Sequence, residues 1–260
     1  MSSAAAPTRT GATASRHTLR RDAWWVEPVL TVVVLGGFVV YATWAAFENA
    51  HYYTAPYLSP LYSPCLSLNC EHVSVPLLGA WYTLSPAFLI LWAPGGFRLT
   101  CYYYRKAYYR SFTWSPPACA VPDARSRYFG ETRFPLILQN LHRYFFYASV
   151  PVLVFLWWDT VLALRFPDGF GVGVGTLVLG ANAALLTLYT LSCHSCRHLC
   201  GGHVDAFSGA PVRHRFWKWL TVLNERHMLI AWTSLFGVVL ADVYVRLLSM
   251  GVIRDLRIVF

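Results

Sequence analysis

Five long apolar segments punctuate the chain, near residues 28–50, 84–104, 144–166, 173–193 and 228–250. Each approaches the roughly 20 apolar residues that a helix needs to cross a bilayer. None alternates apolar and polar side chains as a membrane barrel strand does. The pattern predicts an all-α integral membrane protein with five transmembrane helices, occupying residues 23–260. Pro94-Gly95-Gly96, inside the second segment, predicts a kink or local unwinding. Residues 1–22 are rich in Ala, Ser, Thr and Arg, with little to bury, and read as a disordered cytoplasmic tail. Pro211 to Arg226 reads as an amphipathic helix lying in the interface, with Trp217, Trp219 and Leu220 opposite its basic residues. Gly169, Gly171, Gly173 and Gly175 imitate a nucleotide-binding loop, but the pattern puts them in an outer turn with no preceding strand.

Composition agrees with the segments: 56% of residues are hydrophobic and 13% charged, against about 25% charged in soluble domains. The net charge of +9 follows topology rather than a groove that would hold nucleic acid. Of the 21 Lys and Arg, sixteen lie in the N-terminal tail and in the connections after the second and fourth segments. Arg165, Arg246, Arg254 and Arg257 lie on the opposite side, and Arg98 falls within the second segment. Because basic loops stay inside, the N-terminus is expected in the cytoplasm and the C-terminus outside. Cys65 and Cys70 then share the outer loop, where a disulfide would persist. Glu48, Asp159, Asp242 and Arg246 read as an outer polar cluster with a structural ion-pairing role. The basic, Pro-rich inner loop 111–140 suits a soluble partner.

The chemistry is concentrated where apolar segments meet basic loops. SCHSCRHLCGGH, Ser192 to His203, holds three Cys and three His, side chains favoured by transition metals and iron–sulfur clusters. The predicted topology brings Cys101, Cys193, His142 and His227 to one depth from four different helices, the usual way a bundle assembles a site. These four are the proposed ligands, with Cys196 and His194 as second-tier candidates. Two Cys and two His fit a Rieske-type [2Fe–2S] cluster, with the thiolates on one iron and the imidazoles on the other. The alternatives are a structural zinc, or a b-type haem held by His142 and His227. Ordinary packing of small Cys residues stands beside these readings, and is the reading adopted for Cys119, Cys200, His203 and His214. Arg98, Tyr103, His194 and His198 are candidates for binding a quinone or supplying its protons.

TCYYYRKAYYR (Thr100 to Arg110), LHRYFFY (Leu141 to Tyr147), SCHSCRHLCGGH and NERHMLIAWTS (Asn224 to Ser234) together resemble the cytochrome b-like membrane anchor of succinate dehydrogenase and fumarate reductase, in its actinobacterial type. The resemblance implies an iron–sulfur subunit and a flavoprotein subunit docked on the cytoplasmic face. Electrons would pass from succinate through those subunits to this chain and on to menaquinone, in a bacterial cell membrane. Two-haem anchors of this kind need four His. Here the outer halves of the second to fifth segments hold none, and His51 has no evident mate. A distal haem is therefore not expected. Two rivals differ in class. One is a membrane thiol–disulfide oxidoreductase linking Cys193 and Cys196 to Cys65 and Cys70, discounted because the pairs fall on opposite faces. The other is an anchor without a cofactor.

Overall fold

A computed structural model describes residues 18–65, 70, 88–124 and 132–260. The N-terminal tail through residue 17, the start of the second segment at 84–87, most of the outer loop and residues 125–131 of the inner loop lie outside the described residues. Among the described residues eight α-helices follow in order: α1 (Val26–Glu48), α2 (Phe88–Leu99), α3 (Tyr102–Thr113), α4 (His142–Leu162), α5 (Val174–Leu191), α6 (His194–Gly201), α7 (Pro211–Glu225) and α8 (His227–Ser249). Among the described residues, α1, α5, α8 and α4 with the 3-10 turn before it are long and apolar enough to span a membrane. Among the described residues of the second segment, twelve form α2, with Pro94 inside it. Helix α7 coincides with the stretch expected to form an amphipathic helix.

The main packing runs α2 on α4, α4 on α5 and α5 on α8, while α1 leans on α3 and α6 on α7. Gly96 permits the close approach of α2 to α4: a Cβ there would lie 2.2 Å from Cε1 of Phe145. Midway along, Ala93, Val152, Leu156 and Ala183 join α2, α4 and α5. Small and branched side chains at these contacts let helices pack where lipid offers no hydrophobic contrast.

Two segment ends differ from expectation. The second segment does not continue to residue 104, because the chain leaves the helix at Thr100 and Cys101 is extended (φ −64°, ψ 127°) before α3 begins. The fourth stops at Leu191 rather than 193, and Cys193 is again extended (φ −66°, ψ 141°) before α6. Both breaks fall at the basic end, and each presents its cysteine at the start of a new helix.

The opposite end holds short strands that the all-α reading did not include. β1 (Tyr53–Thr54) pairs with β2 (Tyr57–Leu58), and β3 (Arg165–Phe166), β4 (Gly169–Gly173) and β5 (Arg257–Val259) form an antiparallel sheet. Gly169, Gly171 and Gly173 thus lie in strand β4 with β3 before it, and Gly175 in the first turn of α5, a correction to the expected turn. Glycine is required there by contact with β5: a Cβ on Gly171 would lie 2.5 Å from the Ile258 carbonyl oxygen. Cys65 and Cys70 are disulfide-bonded at this end. Asp242, fully buried, accepts from Tyr41 (2.5 Å), Ser59 and Arg246 (2.8 Å), and Arg246 also pairs with Glu48. Asp159 stands apart from this cluster and accepts from Ser63 (2.5 Å) instead.

Candidate metal centre

At the basic end, Phe97, Cys101, Tyr104, Phe146, Tyr189, Cys193 and Cys196 form the main buried cluster. His142 opens α4 and His227 opens α8, and both point inward to the two helix breaks. Nε2 of His142 lies 3.1 Å from Sγ of Cys193. Nε2 of His227 lies 3.3 Å from Sγ of Cys101. Cys101 and Cys193 are 2% and 0% exposed, and His142 is 3% exposed, so these contacts are shielded from water and lipid. All four first-rank candidates from the sequence therefore meet here, as two Cys–His pairs.

The breaks share one construction. Thr100-Cys101 and Ser192-Cys193 each place a hydroxyl residue directly before the thiol. Thr100 Oγ1 lies 3.0 Å from Nδ1 of His142, and Ser192 Oγ lies 2.7 Å from Nδ1 of His227. The pairing is crossed: the hydroxyl beside Cys101 binds the imidazole facing Cys193, and the hydroxyl beside Cys193 binds the imidazole facing Cys101. The Ser195 amide donates to the Cys193 sulfur (3.3 Å), as the N-terminus of α6 favours negative charge on that atom.

Aromatic rings hold the imidazoles edge-on to the thiols. His142 stacks on Phe97 (4.9 Å, 10°) and, on its other face, on His194 (5.1 Å, 20°). His227 stacks on Tyr189 (5.2 Å, 16°), and the Arg98 guanidinium lies 4.5 Å from the same tyrosine ring. Arg98 donates to Tyr104 (2.8 Å) and Ser234 (2.9 Å), which fixes its charge inside the bundle. Asn224 anchors the turn from α5 by donating to the Ser192 carbonyl (2.8 Å).

The second-tier candidates take other positions. Cys196 is buried on α6, three residues beyond Cys193, where burial pushes its thiol up to about 11 and Cys200 adds to the shift. His194 is half-buried, its pKa lowered by burial and by neighbouring His198 and Arg143, and His198 is exposed. Nitrogens of His142 and His194 and the Cys193 sulfur lie within 4.8 Å of one another, the set of three among the described residues that is compact enough for one ion. The near-parallel stacking of the two imidazoles turns their in-plane lone pairs away from a common point, so this set is poorly arranged for a single metal.

Tyr103 sits on a separate groove of about 660 Å³ between α1, α3 and α8, lined among others by Leu30, Val34, Lys106, Trp232 and Phe236. Its hydroxyl accepts from the Trp232 indole (2.6 Å), which leaves the phenol hydrogen free to donate. Arg98 does not line this groove. Thr100, Ser192, Phe97 and Tyr189 were not singled out from sequence. The recurring hydroxyl–Cys step at the end of two apolar segments was the available signal.

Comparison with known proteins agrees with this architecture. Residues 26–251 match the family model described as "Actinobacterial succinate dehydrogenase subunit SdhC". A chain of the structure titled "Mycobacterium smegmatis Sdh1 complex in the apo form" is 48% identical, with a TM-score of 0.86 and 98% of each chain covered. No curated protein matches. With nearly the whole membrane domain matched, this chain belongs to the actinobacterial SdhC family of succinate dehydrogenase membrane subunits.

Proposed function

We propose that this subunit carries electrons through the membrane domain of a succinate dehydrogenase to menaquinone, using a Rieske-type [2Fe–2S] cluster held by Cys101, Cys193, His142 and His227. The chain is a multi-pass bacterial plasma-membrane protein that works with the iron–sulfur and flavoprotein subunits of its complex. The observation that carries the proposal is the convergence of two thiols and two imidazole Nε2 atoms, pairwise and buried, at the basic end.

The donor set, two Cys and two His, has the composition of a Rieske centre. Because each imidazole here lies against a thiol, placing both thiolates on one iron and both imidazoles on the other requires the four side chains to re-pair. A single tetrahedral ion draws its four ligand atoms into one small shell, whereas the compact set found among the described residues holds His142, His194 and Cys193 and leaves out the Cys101–His227 pair. A haem held by His142 and His227 would leave Cys101 and Cys193, each within 3.3 Å of an Nε2 atom, without a part in the centre. When bound, such a cluster passes on one electron at a time, at a potential that imidazole ligation raises above that of an all-Cys cluster.

The chain's own residues supply the rest. Cys101 and Cys193 balance charge as thiolates, assisted by the Arg98 cation fixed nearby. Phe97, Phe146 and Tyr189 exclude water. Tyr103, two residues from Cys101, presents its phenol hydrogen to a quinone carbonyl oxygen in the groove, and Lys106 and Arg110 at the groove's basic end favour the anionic form of the ring. His194 and His198 connect the buried site to the exposed surface and serve proton supply. The basic faces of α6 and α7, together with the basic sequence of loop 111–140, receive the soluble subunits, with the N-terminus in the cytoplasm, five spans in all and the C-terminus outside.

The deciding experiment uses the intact purified complex, compared by optical and low-temperature EPR spectroscopy with the His142→Ala/His227→Ala double variant. A reduced-state Rieske-type signal, without haem bands and absent from the variant, is expected. Haem bands lost in the variant would move the same role to a b-type haem. Neither signal, with quinone reduction intact in the variant, would leave an anchor without a cofactor.

A further inference from the structure

We infer that Thr100 and Ser192 are positioning residues that fix both imidazoles as Nδ1–H tautomers, so that Nε2 of His142 and of His227 are the metal-binding nitrogens. The inference rests on the metal-centre reading and specifies which atom of each ring bonds.

A hydroxyl has one hydrogen to give, and in both residues it is already committed. Thr100 Oγ1 donates to the Gly96 carbonyl at 2.7 Å. Ser192 Oγ donates to the Tyr189 carbonyl at 2.9 Å. That second acceptor has particular need of a donor. Tyr189 is in the last turn of α5, and the amide four residues on, of Cys193, turns to the Thr190 carbonyl instead (3.3 Å). The last carbonyls of a helix lack backbone donors, and an unsatisfied buried one costs about 1–3 kcal/mol. The serine hydrogen is therefore held on Tyr189. Each hydroxyl oxygen is left to accept, and the only hydrogen able to close the 3.0 Å and 2.7 Å contacts is the one on Nδ1. With Nδ1 protonated, each neutral imidazole keeps its lone pair on Nε2, the atom that faces a cysteine sulfur.

The neighbours agree with that assignment. The ring faces are covered by Phe97 and His194 on one imidazole and by Tyr189 on the other, so neither ring can flip to exchange its nitrogens without unstacking. Thr100 is 1% and Ser192 0% exposed, which keeps water from replacing either hydroxyl. Groups that orient ligating imidazoles in this way typically contribute roughly 10–100-fold to metal affinity.

The test labels histidine with ¹⁵N at either Nδ1 or Nε2 in the intact complex and measures the nitrogen couplings of the paramagnetic centre by pulsed EPR. Strong, directly bonded coupling from Nε2 and weak coupling from Nδ1 are expected. Strong Nδ1 coupling overturns the inference while leaving the centre in place. Thr100→Val and Ser192→Ala are expected to lose roughly 10–100-fold in metal affinity, with altered g-values in whatever centre remains, and Thr100→Ser to restore the wild-type spectrum. Wild-type spectra in both the valine and alanine variants would also overturn it. If the centre proves to be a haem, the same labels report the same nitrogens, and the same outcomes decide. A wild-type complex with no paramagnetic metal signal would end the metal-centre reading and this inference together, before any substitution is made.

Discussion

Which cysteines would serve the proposed centre rests on where the backbone breaks, because all five free thiols among the described residues lie at the basic end. Cys101 and Cys193 start new helices and face imidazoles, whereas Cys196 lies within α6 beside Cys200. Cys101→Ala is expected to abolish the EPR signal and quinone reduction. Cys196→Ala removes one sulfur from a packed site, so the signal should persist with a small loss of stability; iron content and EPR of the two purified variants distinguish them. A reversed result would give the ligand role to Cys193 with Cys196. At Tyr103 a smaller effect is expected. Tyr103→Phe keeps the ring and removes the phenol hydrogen, and a hydrogen bond with a net worth of about 0.5–1.5 kcal/mol corresponds to a roughly two- to tenfold loss in kcat/KM for quinone. The EPR spectrum of the centre should be unchanged, and an unchanged kcat/KM would remove Tyr103 from the quinone site.

At the scale of elements, the breaks and strands were the parts least legible in the sequence. Segment positions followed from hydropathy to within two residues for α1 and α8, since lipid exposure selects apolar side chains directly. The ends of the second and fourth segments were read too long, because Tyr102, Tyr103 and Tyr104 and then Cys193 continue an apolar run after the helix has stopped. The meeting of Cys101, Cys193, His142 and His227 was legible because charge placed their segments at one depth. Thr100 and Ser192 were not, since a hydroxyl at a helix end has many ordinary uses. The glycine run was misread because β5, its partner across the sheet, lies more than 80 residues along the chain. At the end away from the centre, Asp242 ties α8 to α1 through Tyr41 and Arg246. Asp242→Ala leaves Arg246, 3% exposed, with Glu48 as its remaining carboxylate partner. Loss of one partner of a buried pair costs about 3–5 kcal/mol, so the detergent-solubilised complex should unfold at a clearly lower temperature. The centre's EPR spectrum should not change, because the lesion lies at the far end of the bundle. An unaltered unfolding temperature would mean that Glu48 and the Ala45 and Ala50 carbonyls suffice for Arg246.

For the molecule as a whole, the decisive property is direction. Delivery of electrons from soluble subunits requires the buried centre and the basic surface to lie at the same end, and they do: Arg105, Arg143, Arg197 and Arg226 all sit within four residues of a proposed ligand. The disulfide Cys65–Cys70 lies at the opposite end, as expected if that end faces the oxidising side. Two thiols test the orientation without disturbing the centre. Cys119 is exposed in the loop after α3, at the basic end. Val252, 67% exposed just beyond α8, lies at the other end and accepts a Val252→Cys reporter. A membrane-impermeant maleimide added to intact spheroplasts should label the Val252→Cys thiol and leave Cys119 unmodified, while inverted vesicles should not label the reporter. If docked subunits cover Cys119, the reporter at 252 still decides alone. Labelling of that reporter only in inverted vesicles would place the C-terminus inside. It would also put the centre on the side away from the cytoplasmic subunits, and the route from succinate to quinone through Cys101, Cys193, His142 and His227 would fail with it.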